Sequence, residues 1–514
     1  MYIDSRLLED GTNIEVDLCV VGGGAAGITI AREFTGNSSL KVCVLESGGF
    51  EYDKDLHDLY RGENVGDALP WNSNYLMATR LRYFGGTTNH WAGWCVPLDE
   101  VDFEVRPWVE HSGWPFSKSE LLPYYQRALK ILGIHDFDYD VAKKATRERP
   151  QILRGSSRIE THILHRSAPT RFGQAYREDF RNASTVDVYL HANLVDIRCA
   201  PNGQSVTSLK IKCLNGTSFE VRAKKFVLAT GGIENARLLL SSNSVCAAGI
   251  GNENDLVGRF FMEHLEMQSI GQLILSSPNT SMDFYQRFVD PFFRHVVYGV
   301  LCVPDETQRE ENLLNCSLYF SEPMHPHPGL NRHERKDWGL IESLKHIVSE
   351  FDLPDPQFND RRDSCYFGVF KCRSEQSPNP LSRVTLIDEK DPLGLPRVRL
   401  DWRLREQDRK SVERTVEILA EELGKLGEGR VRLTMKRQEK WQRIYGGAHH
   451  IGTTRMHNNP KHGVVDRDCK IHSMSNLYIA GSSVFPTAGF ASPTYTIVAL
   501  ALRLADHLKT VILP

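Results

Sequence analysis

The chain of 514 residues has no Cys-x-x-Cys pair, and its eleven cysteines are odd in number and scattered. That spacing argues against both a zinc site and a disulfide scaffold, and no metal is expected. There is no basic excess either: the net charge of -3 gives no reason to expect a nucleic-acid partner. No apolar run approaches the roughly 18 residues of a membrane span. The opening MYIDSRLLEDGTN is charged from its fourth residue and lacks the basic and apolar regions of a secretory signal. A cytoplasmic protein in a reducing compartment is therefore expected, with Asn-x-Ser/Thr matches such as the one at Asn182 arising by chance. What remains is a globular composition, 41% hydrophobic and 25% charged, at a length that favours two connected domains.

VDLCVVGGGAAGITIAREF begins with an apolar run from Val16 to Val21, broken only by Asp17, passes through Gly22, Gly24 and Gly27, and continues as an apolar-periodic segment. It reads as strand, tight turn and helix. Glycine serves the turn, the close approach of backbone N–H groups to a pyrophosphate, and the packing of helix on strand, while the helix N-terminus faces the phosphates. A second apolar strand, KVCVLESGG, ends at Glu46, 19 residues beyond Gly27, where a carboxylate can accept from ribose hydroxyls. The grip alone does not distinguish NAD from FAD.

Further on, SRVTLID and PRVRLDW alternate like half-buried strands. Val412, Val416, Leu419, Leu423 and Leu426, with Thr415 and Ala420, recur at helical spacing and are assigned to the core. Between Pro323 and Asp355, proline-rich polar flanks enclose one helical stretch, as in an inserted lid; its histidines are read as a solvated face.

Four segments occur in order: YFGGTTNHWAGWCVPLDEVDF from Tyr83, KKFVLATGGIENARLLLSS, HHIGTTRM, and NLYIAGSSVFPTAGFASPTYTIVALALRLADHL. Together they closely resemble the glucose-methanol-choline (GMC) family of FAD-dependent oxidoreductases, most of all the branch of pyranose oxidases and FAD sugar dehydrogenases. The resemblance implies an α/β fold in which a Rossmann-like FAD-binding domain is assembled from 1–105, 165–270 and 445–514. Residues 106–164 and 271–444 would form a substrate-binding domain on an antiparallel sheet. It further implies that Gly85, Gly86 and Asn89 line the flavin ring edge, that Val195 contacts adenine through its backbone, and that Gly481, Ser482, Pro493 and Thr494 complete the cofactor set. His90 falls where some pyranose oxidases attach the flavin covalently. The helix opened by Pro493 and Thr494 would turn its positive end toward the flavin pyrimidine.

The family pattern His-x-x-Gly-Thr falls on His449 without a gap, making its imidazole the expected base for a hydroxyl proton. His450 should diverge from it and support it. The family usually has Asn or His ahead of the proline in its C-terminal motif; here that place holds Ser492, which can donate a hydrogen bond but is shorter than Asn and cannot act as a second imidazole. Arg455 either neutralises charge or braces its loop. The expected reaction is oxidation of a hydroxyl of a sugar, glycoside or similar polar alcohol to a ketone or aldehyde, the electrons passing through FAD to dioxygen or another acceptor. The alternative is the same scaffold with different, lyase-type or non-alcohol chemistry, reflecting Ser492.

Overall fold

The computed structural model describes all residues except 37–38, 67–73, 135–138, 148, 169, 276–281, 291–294, 321–365, 434–443 and 513–514. The lid expected around Pro323 to Asp355 thus lies outside the described residues.

The apolar run ending at Val21 forms the inner part of a strand, Thr12–Val21, whose last four residues are buried. Strands buried on both faces read as continuous apolar runs and belong in parallel sheets covered by helices. Thr12–Val21 pairs in parallel with Val42–Leu45 on one side and Ser218–Leu228 on the other. Val186–Leu190 and Tyr2–Asp4 extend the parallel sheet beyond Val42–Leu45, and Leu477–Ile479 joins it alongside Ser218–Leu228. Val206–Lys212 and Asn193–Cys199 add an antiparallel flank. The crossover helix Ala25–Arg32 follows the glycine turn and packs against the C-terminal helix Thr494–Ile512, which also packs on Lys118–Leu132.

A second, antiparallel sheet runs in the order Gly429–Leu433, Leu265–Leu275, Tyr366–Ser374, Cys316–Phe320, Val296–Cys302, Glu160–Arg166, Trp94–Cys95. Ile444–Gly446 pairs with the start of Leu265–Leu275, which ties the histidine segment to this sheet. The two alternating segments form the antiparallel pair Arg383–Lys390 and Pro396–Trp402, and the latter runs parallel to Gly62–Gly66. The periodic segment beyond them is the helix Glu406–Lys425, with Val412, Val416, Leu419 and Leu423 buried and Leu426 capping its end. The α/β expectation of a parallel sheet beside an antiparallel one is met. No helix among the described residues is long and apolar enough to cross a membrane.

Candidate active site

Two clefts meet at the histidine segment. The first is lined by Gly22, Gly24, Glu46, Gly86, Gly481, Ser482, Pro493 and Thr494, among others. Its floor is the glycine turn. Gly22 has a φ of +105°, and a Cβ there would lie 2.5 Å from the carbonyl oxygen of Ala229, so the turn and the end of the neighbouring strand close on each other only through glycine. Gly27 does not line the cleft; a Cβ on it would lie 1.8 Å from the Gly22 carbonyl oxygen, so its part is helix-to-turn packing. The Gly85 N–H donates to the Gly23 carbonyl at 2.7 Å, which stitches the second glycine loop onto the first. Gly85 and Asn89 stand behind Gly86, the Asn89 amide donating to the Phe84 carbonyl at 2.9 Å.

Glu46 is buried, its two carboxylate oxygens accepting from the backbone of Gly23 at 2.8 Å and Gly48 at 2.9 Å. Each oxygen retains accepting capacity toward the cleft. Burial raises its pKa, and the two backbone donors and Arg82 act against that. Beyond it Glu234 accepts from Arg80 at 2.8 Å and Arg82 at 2.9 Å. Burial alone would raise the Glu234 pKa, but Arg237, Arg82 and Arg80 hold it at about 2. These charges also line the cleft, and the Arg82 Nε has no partner within the described chain. Asn193, whose side-chain oxygen accepts from Arg82 Nη1 at 3.4 Å, and Leu194 also contribute, whereas Val195 is not among the lining residues.

The second cleft is walled by Trp91, Trp94, Tyr298, Tyr319 and Phe320, and carries His90, Glu266, Arg373 and Ser492. Thr79, Thr87, Ala448, His449 and Thr494 line both clefts, so His449 stands at their junction. His90 borders only the second cleft.

His449 is held by two residues. Its backbone N–H donates to both carboxylate oxygens of Glu263, at 2.8 and 3.0 Å, and its Nδ1 lies 2.8 Å from Nδ1 of His264. The Glu263 carboxylate also accepts from the Tyr75 hydroxyl, and burial pushes its pKa up to about 7 against its donors. Burial, then the nearby His264, Arg373 and His450, hold the His449 pKa well below the ordinary imidazole value. Ligand-type atoms of Glu263, His264 and His449 lie within 4.8 Å of one another, a cluster knit by its own hydrogen bonds rather than open toward a metal ion.

His450 takes different partners. Its Nε2 is 3.1 Å from the Thr79 hydroxyl, its carbonyl accepts from Ser482 at 2.7 Å, and it borders only the first cleft. Burial and Arg80 push its pKa down to about 3. Ser492 accepts a hydrogen bond from Arg373 Nη1 at 2.8 Å, which leaves its own hydrogen available for donation. Arg373 is paired with Glu266 directly opposite it on the neighbouring strand, Nε to Oε1 at 2.8 Å. Arg455 lines neither cleft; it donates to the His111 carbonyl and stacks over Phe260, so it braces the loop.

Sequence reasoning missed Glu263, His264, Glu266 and Arg373. The run FFMEHLEM, opening a strand with three ionisable side chains in four residues, was the available signal for the first three.

A profile described as GMC oxidoreductase matches residues 378–501. The chain is 24% identical to the 2-methyl-1,2-propanediol dehydrogenase of Mycolicibacterium austroafricanum, over 96% of this chain and 95% of that one. It is 23% identical to the fructose dehydrogenase large subunit of Gluconobacter japonicus, over 96% and 97%. Over that C-terminal stretch the chain matches the GMC oxidoreductases. Among solved structures, pyridoxine 4-oxidase from Mesorbium loti superimposes with a TM-score of 0.55 at 18% identity, covering 96% of this chain and 98% of that one.

Proposed function

We propose that this protein is a GMC oxidoreductase that uses FAD to oxidise a hydroxyl group of a sugar, glycoside or similar polar alcohol to a ketone or aldehyde, with His449 accepting the hydroxyl proton. The first cleft fits the cofactor. Added Cβ atoms on Gly24, Gly231 and Gly481, all on its lining, would meet nothing within 4 Å, so backbone is laid bare to a ligand there. Glu46 supplies acceptors for ribose hydroxyls, and Arg82 offers an unpartnered Nε. When bound, FAD would supply the two-electron acceptor for the hydride.

The observation that carries the proposal is the place of His449, shared by the two clefts. An imidazole held neutral there can take a proton from an alcohol in the second cleft beside the cofactor cleft. Ser492, oriented by Arg373, donates to the substrate oxygen. The aromatic walls of the second cleft suit the apolar faces of a sugar ring, and the N-terminus of Thr494–Ile512 favours negative charge developing at the junction. The named activities of the 2-methyl-1,2-propanediol and fructose dehydrogenase relatives, both on polar alcohols, support this substrate class. The division into an FAD-binding and a substrate-binding domain follows the same reading, as does a cytoplasmic location, for which every cysteine among the described residues is free.

Anaerobic mixing of the purified yellow protein with D-glucose, D-fructose, a methyl glycoside and 2-methyl-1,2-propanediol tests the proposal. At least one polyol should bleach the flavin; a flavin that none of them reduces, in a protein with normal FAD content, would favour the lyase-type alternative.

A further inference from the structure

We infer that His264 sets the tautomer of His449, leaving Nε2 of His449 as the bare nitrogen that receives the substrate proton; the inference rests on the reading of His449 as the base. The argument follows hydrogen positions along a chain of three groups. The Gly489 carbonyl can only accept, and it lies 2.8 Å from Nε2 of His264, so that nitrogen carries hydrogen. His264 is completely buried, and burial together with Arg373 pushes its pKa down to about 4, so the ring is neutral and holds one hydrogen. Its Nδ1 is therefore a lone pair.

That lone pair faces Nδ1 of His449 at 2.8 Å, and two lone pairs do not sit at this distance, so His449 donates from Nδ1. His449 is also neutral, and its single hydrogen is then spent on Nδ1. Nε2 is left bare, on a residue that lines both clefts. Neutral imidazole otherwise exchanges between two tautomers, and only one can act as a base through Nε2. In the step itself the alcohol O–H bond breaks and an N–H bond forms at Nε2; the Nδ1–H bond to His264 is kept, and the ring becomes imidazolium.

The backbone holds the two rings in register. Glu263, the residue before His264, accepts the His449 N–H through both carboxylate oxygens. Leu265, the residue after it, pairs with Gly446 three positions before His449. His264 thus acts as a positioning residue that touches neither cleft.

The test uses holoenzyme labelled with 15N-histidine, the His449 ring signals being assigned by their loss in His449→Gln. The parent should show a proton on Nδ1 and an unprotonated Nε2. His264→Phe removes the acceptor and should put proton on Nε2 in part of the population, while His264→Asn, which retains an acceptor near the backbone, should keep the parent pattern. With the alcohol that reduces the parent fastest, flavin reduction should fall on the order of 10- to 100-fold in His264→Phe, with FAD content unchanged, and recover most of the loss in His264→Asn. A protonated Nε2 in the parent, or a His264→Phe variant with parental tautomer and rate, would overturn the inference. A parental pattern with bare Nε2, found alongside full flavin reduction in His449→Ala, would uphold the tautomer and dismiss His449 as the base.

Discussion

Replacing Arg373 by Met separates two roles of one guanidinium, its pairing with Glu266 and its hold on Ser492. Breaking a fully buried ion pair by removing one partner costs about 3–5 kcal/mol, because the remaining charge is left uncompensated. Arg373 and Glu266 retain 14% and 19% side-chain exposure, so water reaches the orphaned carboxylate and the expected cost is about 2–3 kcal/mol. The double variant Arg373→Met/Glu266→Gln removes that uncompensated charge and should unfold at a higher temperature than the single variant. Activity behaves differently. Arg373 opposes protonation of both His264 and His449, so without it the His449 pKa rises and the acid limb of flavin reduction moves to higher pH. The sign follows from the base being active only when neutral: a lowered pKa keeps it neutral further into acid, and a raised one forfeits that range. Stopped-flow flavin reduction between pH 5 and 9, which are instrument settings on the order of the imidazole range, together with thermal unfolding of parent, single and double variants, reads both effects. An acid limb that stays in place, or a double variant less stable than the single one, would refute the reasoning.

Ser492→Ala removes the expected donor to the substrate oxygen and should slow flavin reduction on the order of 100-fold while KM changes little, as steady-state and single-turnover kinetics together would show. Gly22→Ala forces a Cβ against the Ala229 carbonyl oxygen at a φ of +105°, and purified protein should carry far less FAD per chain by absorbance. Because His90 borders the second cleft and not the first, acid denaturation should release the flavin into the supernatant; pigment remaining on the precipitated chain would place it in covalent linkage.

Local pattern carried part of this site openly. Gly22, Gly24, Gly27 and Glu46 could be read because strand, turn and helix are consecutive in sequence and each glycine has its own steric reason. The strands at Arg383–Lys390 and Pro396–Trp402 and the helix Glu406–Lys425 followed from periodicity alone. His449 was singled out by its motif, and the residue lines both clefts. The rest depends on pairings that no short window contains. Arg373 meets Glu266 only because two antiparallel strands align them across more than a hundred residues, and the stretch around Arg373 carries no motif. His264 meets His449 through the pairing of Leu265–Leu275 with Ile444–Gly446. Gly62–Gly66 joins Pro396–Trp402 in the same non-local way. Val195 sits one residue beyond the lining pair Asn193 and Leu194, an offset that strand register decides and composition does not.

The central claim, that His449 takes the proton from an alcohol beside bound FAD, is tested most directly by single-turnover anaerobic reduction of the flavin in His449→Ala. With FAD content at the parental level, the rate constant should fall by roughly 100- to 10,000-fold. Reduction at the parental rate in that variant would contradict the account.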